Sequence, residues 1–187
     1  MKYEIVVIGA SLGGLHALRG VLSGLGADFP CPVAIVQHRK ADSDDALEFL
    51  LQRDCRLLVC EAQDKSPILA GKVYIAPSRY HLLIENSHFI LSMDKPENHA
   101  QPSIDVLFES AVAAYGARTI GVVLSGTGMD GAKGLAAIAR CGGIALVESP
   151  QTAYASGMPQ AAIDATQSAK TMALQDIAPY LINLVNQ

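Results

Sequence analysis

Runs of valine and isoleucine alternate along this chain with stretches of helical period. Glu4 to Ile8 is followed by Leu15 to Leu25, Val33 to Val36 by Ser43 to Asp54, and Thr119 to Leu124 by Gly131 to Cys141, with Ile144 to Val147 opening a further round. Such alternation predicts β-α crossovers in a mainly parallel sheet. Strands covered on both faces read as unbroken apolar runs, as these do. The expected fold is therefore α/β, a three-layer, doubly wound sheet with helices on both faces. The middle of the chain departs from this rhythm. Lys72 to Pro77, His81 to Ile84 and His88 to Leu91 are short strand-like pieces, and Glu85-Asn86-Ser87 separates the last two. That spacing predicts a β-hairpin added antiparallel to the sheet edge. The polar stretch from Asp94 to Pro102 reads as a loop, after which Ser103 is placed to cap a helix beginning near Ile104.

Length and composition narrow the class. The 187 residues, half of them apolar, fit one domain spanning 1–187, and a chain of this size buries roughly 70% of its unfolded surface without needing a disulfide or metal staple. A formal charge of −4 supplies no broad cationic field for a phosphate backbone, so nucleic acid is not an expected partner. The opening apolar run is too short for a signal sequence, and no stretch approaches the roughly 20 apolar residues that span a bilayer. A cytoplasmic protein, not embedded in a membrane, is expected. Cys31, Cys55, Cys60 and Cys141 lack metal or redox spacing and read as small buried hydrophobes.

Ligands of an open α/β sheet bind outside the carboxyl ends of its strands, so the residues just after each strand carry the chemistry. Gly9-Ala10-Ser11-Leu12-Gly13 follows the first strand and satisfies the Gly-x-Ser-x-Gly pattern of a nucleophile on a sharp strand-to-helix turn. At such a helix start the backbone N–H of Leu12 can face a developing oxyanion. The bland alternative for Ser11 is a helix N-cap. A dinucleotide loop does not fit: the glycines fall as GxxxGG, and the second strand ends in Gln37-His38 rather than an acid. A serine needs a base, and His38, at the end of the second strand, is the best-placed histidine. His16 lies within a helix, and His88 and His99 lie in the hairpin and loop. The base in turn needs a carboxylate to hold its tautomer, and Asp130 follows the strand ending at Leu124. The order Ser, His, Asp differs from the Ser, Asp, His of ordinary α/β-hydrolases.

These residues, with Val36-Gln37-His38, Val73-Tyr74-Ile75-Ala76-Pro77, Pro102-Ser103-Ile104-Asp105, Gly128-Met129-Asp130-Gly131-Ala132 and Gly157-Met158-Pro159, recur in order over nearly the whole chain. In this the chain resembles the catalytic domain of the chemotaxis protein-glutamate methylesterases of CheB type. The resemblance implies a Ser11-His38-Asp130 triad that demethylates glutamate γ-methyl esters on chemoreceptors through an acyl-enzyme, some members also deamidating glutamine. It implies no metal or organic cofactor. Leu12 stands where threonine is usual, and Thr127 where methionine is usual. The N–H groups of both are expected to form the oxyanion hole, and His81, Met129 and Met158 to contact substrate. The chain opens on the catalytic strand without the receiver domain usual in the family. The accompanying expectation is a constitutively open enzyme or one regulated by a separate protein. The alternative reading is a non-catalytic docking module on the same scaffold.

Overall fold

The structure is a computed structural model, and residues 3–39 and 46–186 are described. Strands β1 (Ile5–Ala10), β2 (Val33–Gln37), β3 (Leu58–Glu61), β4 (Lys72–Ile75), β7 (Thr119–Val123), β8 (Ile144–Glu148) and β9 (Lys170–Met172) form one sheet in the order β3-β4-β2-β1-β7-β8-β9. Every pairing in it is parallel. From β1 the chain winds outward through β2 to β3 and β4; from β7 it winds the other way through β8 to β9. The switch point therefore lies between β1 and β7.

The period of two along each strand divides the core. Val6, Ile8 and Ala10 of β1 face α1 (Gly14–Gly24), α2 (Ala46–Gln52) and α6 (Leu174–Val185), in a cluster with Leu18, Leu51 and Ile177. Ile5 and Val7 face α3 (Ile104–Tyr115), α4 (Ala132–Arg140) and α5 (Gly157–Ala165), with Phe108, Leu135 and Met158. Each long apolar run is a strand buried on both faces, and the three-layer architecture is as the sequence predicts. Of the expected helix from Ser43 to Asp54, residues 43–45 lie outside the described residues. The edge strands β3 and β9 escape the periodicity because they are short and partly exposed. Cys31 and Cys55 are buried as expected, whereas Cys60 is half-buried and Cys141 exposed.

The hairpin exists, but it is placed differently from expectation. β5 (His81–Glu85) and β6 (His88–Ser92) pair only with each other, as a separate two-stranded sheet. Asn86 and Ser87, both at positive φ, make its tight turn. Alternation gathers Leu82, Ile84 and Phe89 on one face, and that face is buried with α3 and Tyr74. Phe89 meets the Tyr74 ring at 4.7 Å, and Ile84 N–H donates to Ser110 Oγ of α3 at 3.0 Å. An apolar face drives the hairpin to lie over a layer, where joining the edge would leave that face wet. Lys72–Ile75, grouped with it in sequence, is instead an interior parallel strand between β3 and β2.

Gly9 marks where α3 crosses β1. A Cβ built there would lie 2.3 Å from Ile104 Cγ2, so only hydrogen fits. Gly9→Ala is expected to destabilise the fold by about 1–3 kcal/mol through overpacking. Urea unfolding checks this, and a variant with the wild-type midpoint would refute it.

Candidate active site

Ser11 follows β1, and its N–H donates to Ser125 O at 2.9 Å across the switch point. Gly13, at φ 80°, turns the chain into α1. No other residue fits there, because a Cβ would meet Tyr154 Cβ at 2.6 Å. The register of β1 with β2 pairs Ala10 with Gln37, and His38 N–H continues it by donating to Ala10 O at 2.9 Å. Ser11 and His38 thus emerge side by side, on strands about 4.8 Å apart. Alternation directs both toward the face covered by α3 and α4.

His38 Nε2 donates to Asp130 Oδ2 at 2.8 Å. In the neutral ring the proton is then on Nε2, and Nδ1 offers its lone pair. Asp130, 4% exposed, does not cap its own helix. Its carboxylate sits on the N-terminus of α3, accepting from Ile104 N–H at 2.7 Å, Asp105 N–H at 3.0 Å and the Ser103 hydroxyl at 2.9 Å. Asn98 Nδ2 approaches at 3.5 Å. Burial pushes the Asp130 pKa up, but the hydrogen bonds from His38, Ile104 and Asp105 outweigh it and hold the group below the ordinary carboxylate range. Ser103 is also the expected cap of α3, accepting from Val106 N–H at 3.4 Å.

Ser125 ties the turn at Ser11 to the loops around it. Its hydroxyl donates to Leu12 O at 2.8 Å and accepts from Ala155 N–H at 2.9 Å, while its own N–H donates to buried Glu148 at 2.8 Å. Gly126 packs so closely that a Cβ there would lie 2.8 Å from Ser11 Cβ. Among the described residues no acceptor meets the N–H of Leu12 or of Thr127, and Ser11 Oγ makes no hydrogen bond.

The other expected contacts divide. Met129 is 65% exposed and borders a groove of about 450 Å³ that also reaches Asn98, Asp105 and Lys133. His81 is corrected. It is 2% exposed, its Nδ1 accepts from Ser103 N–H at 3.1 Å and its Nε2 donates to Lys95 O at 3.1 Å, so no ring edge is left for a substrate. It holds the start of α3 behind Asp130. Met158 is corrected likewise: fully buried, it packs beneath Gly126 and supports the loop from within.

Sequence reasoning missed Asp105, Gln37 and Glu148 as parts of the site. The available signal was a polar residue at the buried end of an element. Asp105 accepts from Gly134 N–H at 2.7 Å and from Asn98 Nδ2 at 2.9 Å, bridging α3 to α4. Burial, reinforced by the charges of Asp130 and Glu109, pushes its pKa up to about 6 against the Gly134 hydrogen bond. Burial also raises Glu148, opposed by Ser125 N–H and by His16.

A doubly wound parallel sheet with a serine turn, a histidine and a buried carboxylate at its switch point defines an open α/β domain of the hydrolase class. The chain belongs to the CheB methylesterase family, which it matches over residues 6–181. It is 43% identical over 185 residues to a Leptospira interrogans protein described as a candidate protein-glutamate methylesterase/protein-glutamine glutaminase, covering 98% of this chain and 96% of that one. It is 44% identical to protein-glutamate methylesterase/protein-glutamine glutaminase 2 of Anaeromyxobacter dehalogenans, over 87% of this chain and 48% of that protein. It thus spans nearly all of the first relative and about half of the second. The crystal structure of the Thermotoga maritima CheB methylesterase catalytic domain superposes with a TM-score of 0.93 at 33% identity, covering 99% of this chain and all of that one. Among the described residues no helix is long and apolar enough to cross a membrane.

The raised pKa of Asp105 has a measurable sign. Between about pH 3.9, where an unfolded aspartate ionises, and about 6, the folded chain binds the extra proton. Stability therefore falls as pH rises through that window. Asp105→Asn removes this loss, so the variant should gain on wild type between about pH 4 and about pH 7. Urea unfolding at the two pH values measures the difference, and a gap that does not change with pH would contradict it.

Proposed function

We propose that this chain hydrolyses carboxylic esters through Ser11, with His38 as base and Asp130 as the group that orients it. The proposed physiological ester is the glutamate γ-methyl ester of a chemoreceptor, with glutamine deamidation as a second reaction of the same site. The hydrogen bond from His38 Nε2 to Asp130 Oδ2, at the end of the strand beside Ser11, carries the reading.

In this mechanism Ser11 Oγ attacks the ester carbonyl carbon while its proton passes to His38 Nδ1. The carbonyl π pair moves onto oxygen, and the oxyanion is met by the N–H groups of Leu12 and Thr127, both without an internal acceptor. Asp130, held ionised by its donors, stabilises the imidazolium. Collapse breaks the bond to the methoxy oxygen, which takes the proton from His38 and leaves as methanol. Water then attacks the acyl-enzyme, giving a proton to His38, and the second collapse returns that proton to Ser11 and releases the glutamate side chain. With a glutamine substrate the leaving group is ammonia. The glutamate-ester and glutamine assignments draw on the names of the relatives and the receptor on the family to which the chain belongs; the chemistry draws on the site.

Methanol release from methylated receptor fragments tests both parts. Ser11→Ala should lower turnover by on the order of a thousandfold or more, and Asp130→Asn by about a thousandfold or more, through the wrong tautomer of His38. Turnover surviving in Ser11→Ala would overturn the nucleophile. Hydrolysis of simple activated esters without receptor demethylation would overturn the substrate alone.

A further inference from the structure

Gln37 ends β2 with its side chain on the α1 face, 8% exposed. Its amide nitrogen donates to two backbone carbonyls at once, Ser11 O at 2.8 Å and His38 O at 2.9 Å. Its amide oxygen is buried without a partner, pressed on Gly14, where a Cβ would come within 2.0 Å of it. The reverse amide orientation would set that oxygen against two carbonyl oxygens, so the assignment is forced by repulsion. A buried acceptor left unpaired is unfavourable, and an apolar side chain of the same shape would avoid it. Packing alone therefore does not account for an amide here. The two bonds it donates do.

Ser11 C=O belongs to the same planar trans peptide as Leu12 N–H, so fixing one direction fixes the other. Gln37 Nε2 and Gly14 N–H, each at 2.8 Å, grip that carbonyl from the α1 side. The Leu12 N–H is thereby aimed away from Gln37, where among the described residues nothing accepts from it. The second bond holds His38 C=O, while His38 N–H is held by Ala10 O at 2.9 Å, so the backbone that carries the base is clamped on both sides. One amide group thus joins the turn bearing the nucleophile, the peptide of the oxyanion donor and the root of the base.

We propose that Gln37 is a positioning residue for ester hydrolysis, holding the Leu12 N–H at the oxyanion and His38 in reach of Ser11. The inference rests on the Ser11-His38-Asp130 reading above. The Gln37 amide lies on the α1 face, opposite the face toward which Ser11 and His38 point, so its loss acts on the transition state and leaves substrate binding nearly intact.

The test replaces the amide without changing its bulk. Gln37→Met and Gln37→Leu remove both donors and the unpaired acceptor, and Gln37→Glu keeps the shape but turns a carboxylate toward two carbonyls. On an activated p-nitrophenyl ester, the apolar variants should lose about 30-fold in kcat, less than the loss of a whole oxyanion donor, with KM within about 3-fold of wild type. Labelling of Ser11 by a serine-directed phosphonate should slow in the same proportion, because an anionic oxygen develops at the same place. Thermal unfolding should stay close to wild type for at least one apolar variant, and Gln37→Glu should be the least active. Ser11→Ala is run beside them. If Ser11→Ala turns over, the triad reading fails. If Ser11→Ala is inactive while a folded Gln37→Met or Gln37→Leu hydrolyses ester and reacts with phosphonate at wild-type rates, the role given to Gln37 is overturned. Loss of kcat only in proportion to loss of folded protein would overturn it equally.

Discussion

The carboxylate of Asp130 is the point on which the site depends. A buried charge is tolerated only when its lone pairs are met by donors, and Asp130 finds them on three separate parts of the chain. His38 comes from the end of β2, Ser103 with the first N–H groups of α3 comes from the helix layer on the face that His38 points to, and Asn98 comes from the loop before α3. A helix N-terminus supplies unpaired N–H groups and the positive end of a dipole, so α3 stabilises the ionised acid while the acid caps α3. The same arrangement fixes which nitrogen of His38 is protonated. The start of α3 and the proton position on His38 are thus set by one group.

The switch point makes that convergence possible. Because α1 leaves β1 toward one face and α4 follows β7 toward the other, the turns after neighbouring strands diverge and leave a crevice between them. Ser125 closes its floor, joining Ser11, Leu12 and Ala155, and Gly126 lets Ser11 approach its backbone. Behind this floor stand groups that are polar and buried yet do not face the crevice: His81, Asp105 and Glu148. Each aims a backbone segment, and each is bonded to an N–H at an element end.

Legibility differed by the kind of information required. The interior strands could be read because burial on both faces leaves an uninterrupted apolar run, and Ser11, His38 and Asp130 could be singled out as candidates because each follows such a run. His81 and Met158 could not be assigned correctly, since nearness to the cleft in sequence order says nothing of whether a side chain opens into it or lies beneath it. The hairpin was read from its alternation and turn, but the partner of its apolar face was not, because period-two alternation does not name what covers it. Asp105 and Gln37 entered only as members of the motifs that carry the family resemblance, and only their neighbours give them a role.

Local order along the chain, then, determined which segments are strands and helices, which turns stand at strand ends, and which hydroxyl, imidazole and carboxylate follow those strands. These follow from periodicity, turn chemistry and residue type, which act over a few residues. Tertiary structure alone decided that the acid of one turn caps a neighbouring helix of the same layer, that His81 is sealed behind it, and that a single amide grips the backbone of Ser11 and His38 together. Those facts depend on direction and distance between residues far apart in sequence, and only packing around the sheet supplies them.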